Sequence, residues 1–131
     1  MLKFFGKSEK KGEIRIIEKI RKSSELEQIC GDKDVYESLM HTMFLDPRKI
    51  EVPVKEAAEN AKRFEKEKNP IRARMWYDIA GGLAIYEGNA KGVVEFFSES
   101  QRISGRDYLI LKTAEKSVAA AQEFYKKYLK D

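Results

Sequence analysis

The residue types able to do chemistry in this chain are few and far apart. His41 is the single histidine and Cys30 the single cysteine. A zinc site needs several Cys or His ligands at close spacing, and neither residue has a companion. No arginine stands five residues before His41; Tyr36 falls there instead. Cys30, between Ile29 and Gly31 near an expected helix end, reads as a small buried hydrophobe. Carboxylates number 22 but are scattered over charged faces, so no acid–base pair can be nominated. No glycine-rich loop follows a strand, and no Gly-x-Ser-x-Gly occurs. One stretch interleaves cations with aromatics: Phe124, Tyr125, Lys126, Lys127, Tyr128 and Lys130, with Arg102 and Arg106 in and beside the preceding loop. Stacking rings and phosphate-neutralising cations are what a nucleic-acid surface needs. Amphipathic packing, with lysines opposing the dipole at a helix C-terminus, explains the same residues. The expectation is no catalytic residue, no cofactor and no metal.

The elements that must position these groups are helices. At 131 residues the chain is long enough for one domain with a core of its own. Charged residues make up 37%, well above the roughly 25% usual for soluble domains. With three Asn and three Gln, the balance leans toward thermophile composition. The net charge of +4 gathers at the two ends and leaves the middle neutral, a milder field than a dedicated nucleic-acid binder carries. One cysteine forms no internal disulfide. No run of 18 apolar residues occurs, so no membrane span is expected, and the N-terminus shows no secretory apolar region. A cytoplasmic protein is the expectation.

Residues 1–12, mixing Leu2, Phe4 and Phe5 with four lysines, are expected as a flexible basic tail or a weak membrane- or partner-docking segment. A single all-helical domain is expected over 13–131. Ile16, Ile17 and Ile20 share a helical face while Ile14 and Ile16 alternate as in a strand, and a helix is favoured. The Ser24…Glu27 spacing allows it to break and restart, and Gly31 ends it. Asp34 with Glu37 predicts the next start, and Asp46-Pro47 the next stop. Pro53 opens a helix with a narrow Val54, Ala57, Ala58, Ala61, Phe64 stripe. Asn69-Pro70 is a cap followed by proline at the first helical position. The helix to Glu87 is apolar over much of its circumference and so is packed on more than one side. Gly81 and Gly82 inside it each cost about 1 kcal/mol relative to alanine, a cost that close approach of a neighbour offsets. Gly88-Asn89 turns the chain, and Ser104-Gly105 closes the following helix. From about Asp107 to Leu129, Leu111, Ala114, Val118, Ala121, Tyr125 and Tyr128 make a seam of two residues per heptad. It packs on the preceding hairpin or forms a homodimer seam.

The hairpin from Arg74 to Asp107 resembles a tetratricopeptide repeat, a 34-residue pair of helices with small and aromatic residues at set positions. Gly81 takes the helix-A glycine, Tyr77 the tryptophan, Ala80 the leucine and Ala84 the tyrosine position. Val93 and Ser100 take the two alanines, Phe97 the phenylalanine and Gly105 the proline. Gly81 and Phe97 match outright. The likeness covers about a quarter of the chain; near Met40 to Ala73 the pattern is poor. Tyr108 onward resembles the terminal capping helix of such arrays. The resemblance implies that the helix-A positions Tyr77, Asp78 and Gly82 face a partner groove. The clamp that grips a C-terminal carboxylate in chaperone-binding members is missing, because Asp78 and Gly82 stand at its positions.

The expected fold is therefore all-α, with five to seven helices in antiparallel hairpins, as a right-handed tetratricopeptide-like stack or a helical bundle. The expected role is a non-enzymatic protein–protein interaction module that receives a partner segment in a groove between hairpins, through Tyr77, Asp78 and Gly82. The alternative is a nucleic-acid-associated protein using Arg102, Arg106, Lys126, Lys127 and Lys130. Self-association through the last helix is a third possibility.

Overall fold

The structure is a computed structural model. It describes residues 2–129, with side chains from residue 13 onward except those of 18 and 19. Six α-helices follow in order: α1 (Leu2–Cys30), α2 (Lys33–Thr42), α3 (Val54–Lys66), α4 (Pro70–Tyr86), α5 (Ala90–Ser104) and α6 (Ile110–Tyr128), with a short 3₁₀ turn at Pro47–Lys49. No strand occurs among the described residues. The architecture is all-α, with the helices packed on one another.

Local chemistry sets the helix ends. The Asn69 side chain accepts the Arg72 N–H, with Pro70 at the first helical position. The Asn89 side chain accepts the Gly92 N–H. Each satisfies one of the backbone donors a helix start leaves open. The two turns joining α3 to α4 and α4 to α5 are copies of each other. Glu67, Lys68 and Asn69 donate to the carbonyls of Arg63, Glu65 and Phe64; Glu87, Gly88 and Asn89 donate to those of Leu83, Ile85 and Ala84. The middle residue is left-handed in both, Lys68 at φ 59° and Gly88 at φ 73°. Turns this short reverse the chain, so α3, α4 and α5 form antiparallel neighbours.

The adjacent glycines of α4 each admit an aromatic ring from a different side. A Cβ built on Gly81 falls 2.5 Å from the Phe97 ring of α5. One built on Gly82 collides with the ring of Phe44, from the segment after α2. Phe44 is held by its backbone: the Tyr125 hydroxyl donates to its carbonyl at 2.6 Å. α6 closes the core against α1, α2, α4 and α5. Phe97, Phe124, Leu26, Leu39, Ile85 and Ile110 are its largest fully buried side chains.

Several expected boundaries move. α1 runs unbroken through Ser24 and Glu27. The backbone of residues 2–12 is part of that same helix, where the sequence predicts a tail. The cap of α2 lies two residues earlier than predicted, because Asp32 rather than Asp34 accepts the open N–H groups, those of Asp34 and Val35. It ends at Thr42, and Asp46-Pro47 instead caps and opens the 3₁₀ turn. α6 starts at Ile110. Its seam is internal: Ala114, Val118, Ala121 and Tyr125 are buried within the chain, and Leu111 and Tyr128 pack against the same core. That face is already used and is not open to a second copy.

Candidate partner-binding groove

α1 and α2 are pinned together at one small residue. The hydroxyls of Ser23 and Tyr36 share a hydrogen bond of 2.6 Å, and the Ser23 hydroxyl reaches the Met40 sulfur at 3.9 Å. C-terminal to that pin, α1 is anchored. Leu26 joins the core with Val35 and Leu39, and Glu25 pairs with Lys127 at 3.6 Å. N-terminal to it, the described side chains 13–17, 20 and 21 are all exposed. They include Ile14, Ile16, Ile17 and Ile20, at 56%, 59%, 62% and 63% exposure. The reason is rotational. At about 100° per residue, the face shared by Ile16, Ile17 and Ile20 is turned by roughly 100° or more from the face that Leu26, Ile29 and Cys30 lay on the core, and Ile14 lies off both.

A groove of about 690 Å³ opens where the helices diverge. Ile16, Ile20 and Leu26 line it from α1, Leu39, Met40 and Met43 from α2, and Leu45 from beyond. Among the described lining residues only Glu27 is charged. Methionines are unbranched and polarizable and adapt to differing partner shapes. Walls of this kind accept the apolar ridge of an amphipathic helix, with anchors one turn apart.

The residues singled out from the sequence lie elsewhere. Tyr77 is 3% exposed, between α3 and α5, with its hydroxyl 3.5 Å from Glu65. Burial, then the charges of Glu65 and Glu99, push its phenol above the usual tyrosine range. Gly82 is buried under Phe44. Neither presents a surface to a partner, because the chain's own segments cover them. Asp78 is half-buried and accepts the Tyr108 hydroxyl at 2.9 Å, and that hydroxyl accepts from Arg74 Nε at 2.9 Å. This relay ties α4 to the loop before α6. It borders a smaller pocket of about 330 Å³ that also gathers His41, Arg106 and Asp107. Within it Arg74 pairs with Asp78 at 3.7 Å, and among the described residues no hydrogen bond links the His41 ring to another pocket residue.

The basic candidates divide. Arg102 is held by two carboxylates, donating to Glu65 at 2.6 Å and Glu99 at 2.5 Å. It staples α5 to α3, and both bonds hold its guanidinium firmly protonated. Lys127 is paired with Glu25. Arg106 and Lys126 are exposed and make no ion pair among the described residues. Lys130 lies outside the described residues. The aromatics beside them are committed to packing: Phe124 and Tyr125 are buried, and the Tyr128 ring sits 4.7 Å from that of Phe124. Lys22 and Lys127 each lie 5.8 Å from the centre of the Tyr128 ring, so the one half-buried ring among the basic residues is already taken up within the chain.

The isoleucine face is the feature missed from the sequence. Four isoleucines in a helix read equally as core; the readable signal was the turn of the apolar face between Ile20 and Leu26. Among the described residues, no helix is long and apolar enough to cross a membrane, and no three His, Cys, Asp or Glu side chains are grouped to hold a metal ion. No family model, curated protein or solved structure matches the chain.

Proposed function

We propose that the chain is a non-enzymatic protein–protein interaction module, acting in the cytoplasm, that takes an amphipathic helix in the groove between α1 and α2. The observation that carries this is that two exposed isoleucines, Ile16 and Ile20, line an apolar groove with Leu39, Met40, Met43 and Leu45. Contiguous exposed apolar surface rimmed by charge marks an interaction site. The working surface is thus α1 and α2, not the α4–α5 hairpin that Tyr77, Asp78 and Gly82 occupy. A tetratricopeptide-like character for that hairpin belongs to the same proposal. It is supported by contact between Gly81 and Phe97, the two outright matches to the repeat pattern. The nucleic-acid alternative rests on Arg106 and Lys126, and no described arrangement favours it.

A photo-crosslinking amino acid placed at Met40, in cells expressing the full chain, tests the groove. The expected result is one nuclease-resistant protein adduct that disappears in the Ile16→Glu/Ile20→Glu variant. No adduct, or an adduct lost on nuclease treatment, would overturn the reading.

A further inference from the structure

The chemistry of the groove's occupant can be narrowed, on the footing of the interaction-module reading above. On α1 the apolar wall is bounded at both ends by a glutamate. At about 100° per residue, Glu13, Ile16, Ile20 and Glu27 fall within roughly 60° of one another around the helix. Both glutamates are exposed, and neither makes an ion pair among the described residues. Along the helix they are separated by about 21 Å. Glu27 also lies in the last turn of α1, which carries no basic residue, so the negative end of the helix dipole is not offset there.

The other charges around the groove add to this sign or cancel. A second hollow of about 560 Å³ joins the groove through Ser24 and Glu27 and brings in Asp32 and Lys33. Asp32 caps α2 through Oδ1 alone, and Lys33 pairs with Glu37 at 4.0 Å. Among the described residues, none that lines the groove is basic. Arg15 and Arg21 are turned from the middle of the Glu13–Glu27 stripe by about 110° or more, and Lys22 sits over the Tyr128 ring. At the Leu45 end, Arg48 is held by Asp46 at 2.9 Å. The field over the groove is therefore negative. It repels anionic lipid and nucleic acid and steers cations toward the apolar walls.

We propose that the groove takes a positively charged amphipathic helix of a separate protein, an apolar ridge of about three turns flanked by Lys or Arg. The ridge lies among Ile16, Ile20, Met40 and Met43. Its flanking cations meet Glu13 at one end and Glu27 with Asp32 at the other. Two fluorescent peptides are the probes: a helix with a leucine ridge of about three turns and lysines at both ends, and the same helix with glutamates in their place. Fluorescence anisotropy on the purified full chain reads both affinities. The lysine peptide is expected to bind about tenfold more tightly, by a margin that shrinks as salt rises. Glu13→Lys/Glu27→Lys is expected to reverse the order. Both positions are exposed, and a lysine in the last turn of α1 suits the helix dipole, so helical circular dichroism is expected to be unchanged. Ile16→Gln/Ile20→Gln removes apolar contact without adding charge and is expected to weaken both peptides.

Equal affinity for the two peptides, tighter binding of the glutamate peptide, binding of neither, or an order that survives Glu13→Lys/Glu27→Lys would overturn the cationic partner. Binding to anionic vesicles that is lost in Ile16→Gln/Ile20→Gln would overturn it in favour of a membrane surface. A Met40 adduct made of two copies of this chain would overturn it in favour of self-pairing. These failures are separable from failure of the module reading. A nuclease-resistant Met40 adduct without preference for the lysine peptide keeps the module and removes the cationic partner, whereas no adduct removes both.

Discussion

At the scale of single residues, the two central glycines of α4 show how neighbours decide what a position tolerates. Alanine at either site would gain about 1 kcal/mol of helix propensity. At Gly81 the added methyl meets the Phe97 ring, which is 1% exposed and cannot retreat. At Gly82 it meets the ring of Phe44, whose backbone is held by Tyr125 but whose half-buried side chain has room to turn toward solvent. Gly81→Ala is therefore expected to lower stability by about 1–3 kcal/mol, and Gly82→Ala by less, as read from urea midpoints. Ser100 offers the opposite case. Its hydroxyl is fully buried without a partner, so Ser100→Ala is expected to be neutral or stabilising by up to about 1 kcal/mol. Cys30 makes a pH prediction. Burial, then the charge of Asp32, pushes its thiol from 9.0 up to about 11. The folded state thus favours the protonated form. This contribution to stability is complete below about pH 9 and is lost as pH rises toward 11. Alkylation of Cys30 at pH 9 is expected to be slower in the folded chain than in urea, because the thiolate is the nucleophile.

At the scale of elements, the paired turns are the most instructive. Both place a residue in the left-handed region, but one uses glycine and the other Lys68. A side chain there costs about 1–2 kcal/mol. Lys68→Gly is therefore expected to raise the thermal midpoint, while Gly88→Lys is expected to lower it; a calorimetric scan of the two variants checks both. The Arg102 staple between α3 and α5 is exposed, so its loss should matter little. Arg102→Ala is expected to cost less than about 1 kcal/mol at moderate salt. α1 combines two elements in one helix. Its last turns belong to the core, and its isoleucine turns belong to a surface.

At the scale of the whole molecule, the core is shared by five of the six helices: the α1 end, α2, α4, α5 and α6. α3 rests on the outer side of α4 and is tied to α5 through Glu65. This leaves two kinds of surface. The α3–α5 side is sealed by ion pairs and buried alanines, while the α1–α2 side is open and apolar. Ile16→Glu/Ile20→Glu is expected to change the unfolding free energy, read from urea midpoints, by no more than about 0.5 kcal/mol, as surface substitutions generally do, while abolishing capture at Met40. Loss of fold instead would place these isoleucines in the core.

The sequence by itself determined the helical class, the caps at Asn69 and Asn89, the turn at Gly88, and the need for close neighbours at Gly81 and Gly82. These depend on backbone geometry and on interactions within a few residues. It did not determine what fills the space over those glycines, since Phe44 reaches Gly82 from far along the chain. It could not place Tyr77 or Arg102 either, because a phenol and a guanidinium suit a groove as well as a staple. Only the tertiary structure decided that the α6 seam faces inward and that the α1 isoleucines face outward. Both are apolar helix faces of similar periodicity. What separates them is which other helices lie alongside, and that depends on contacts between distant segments.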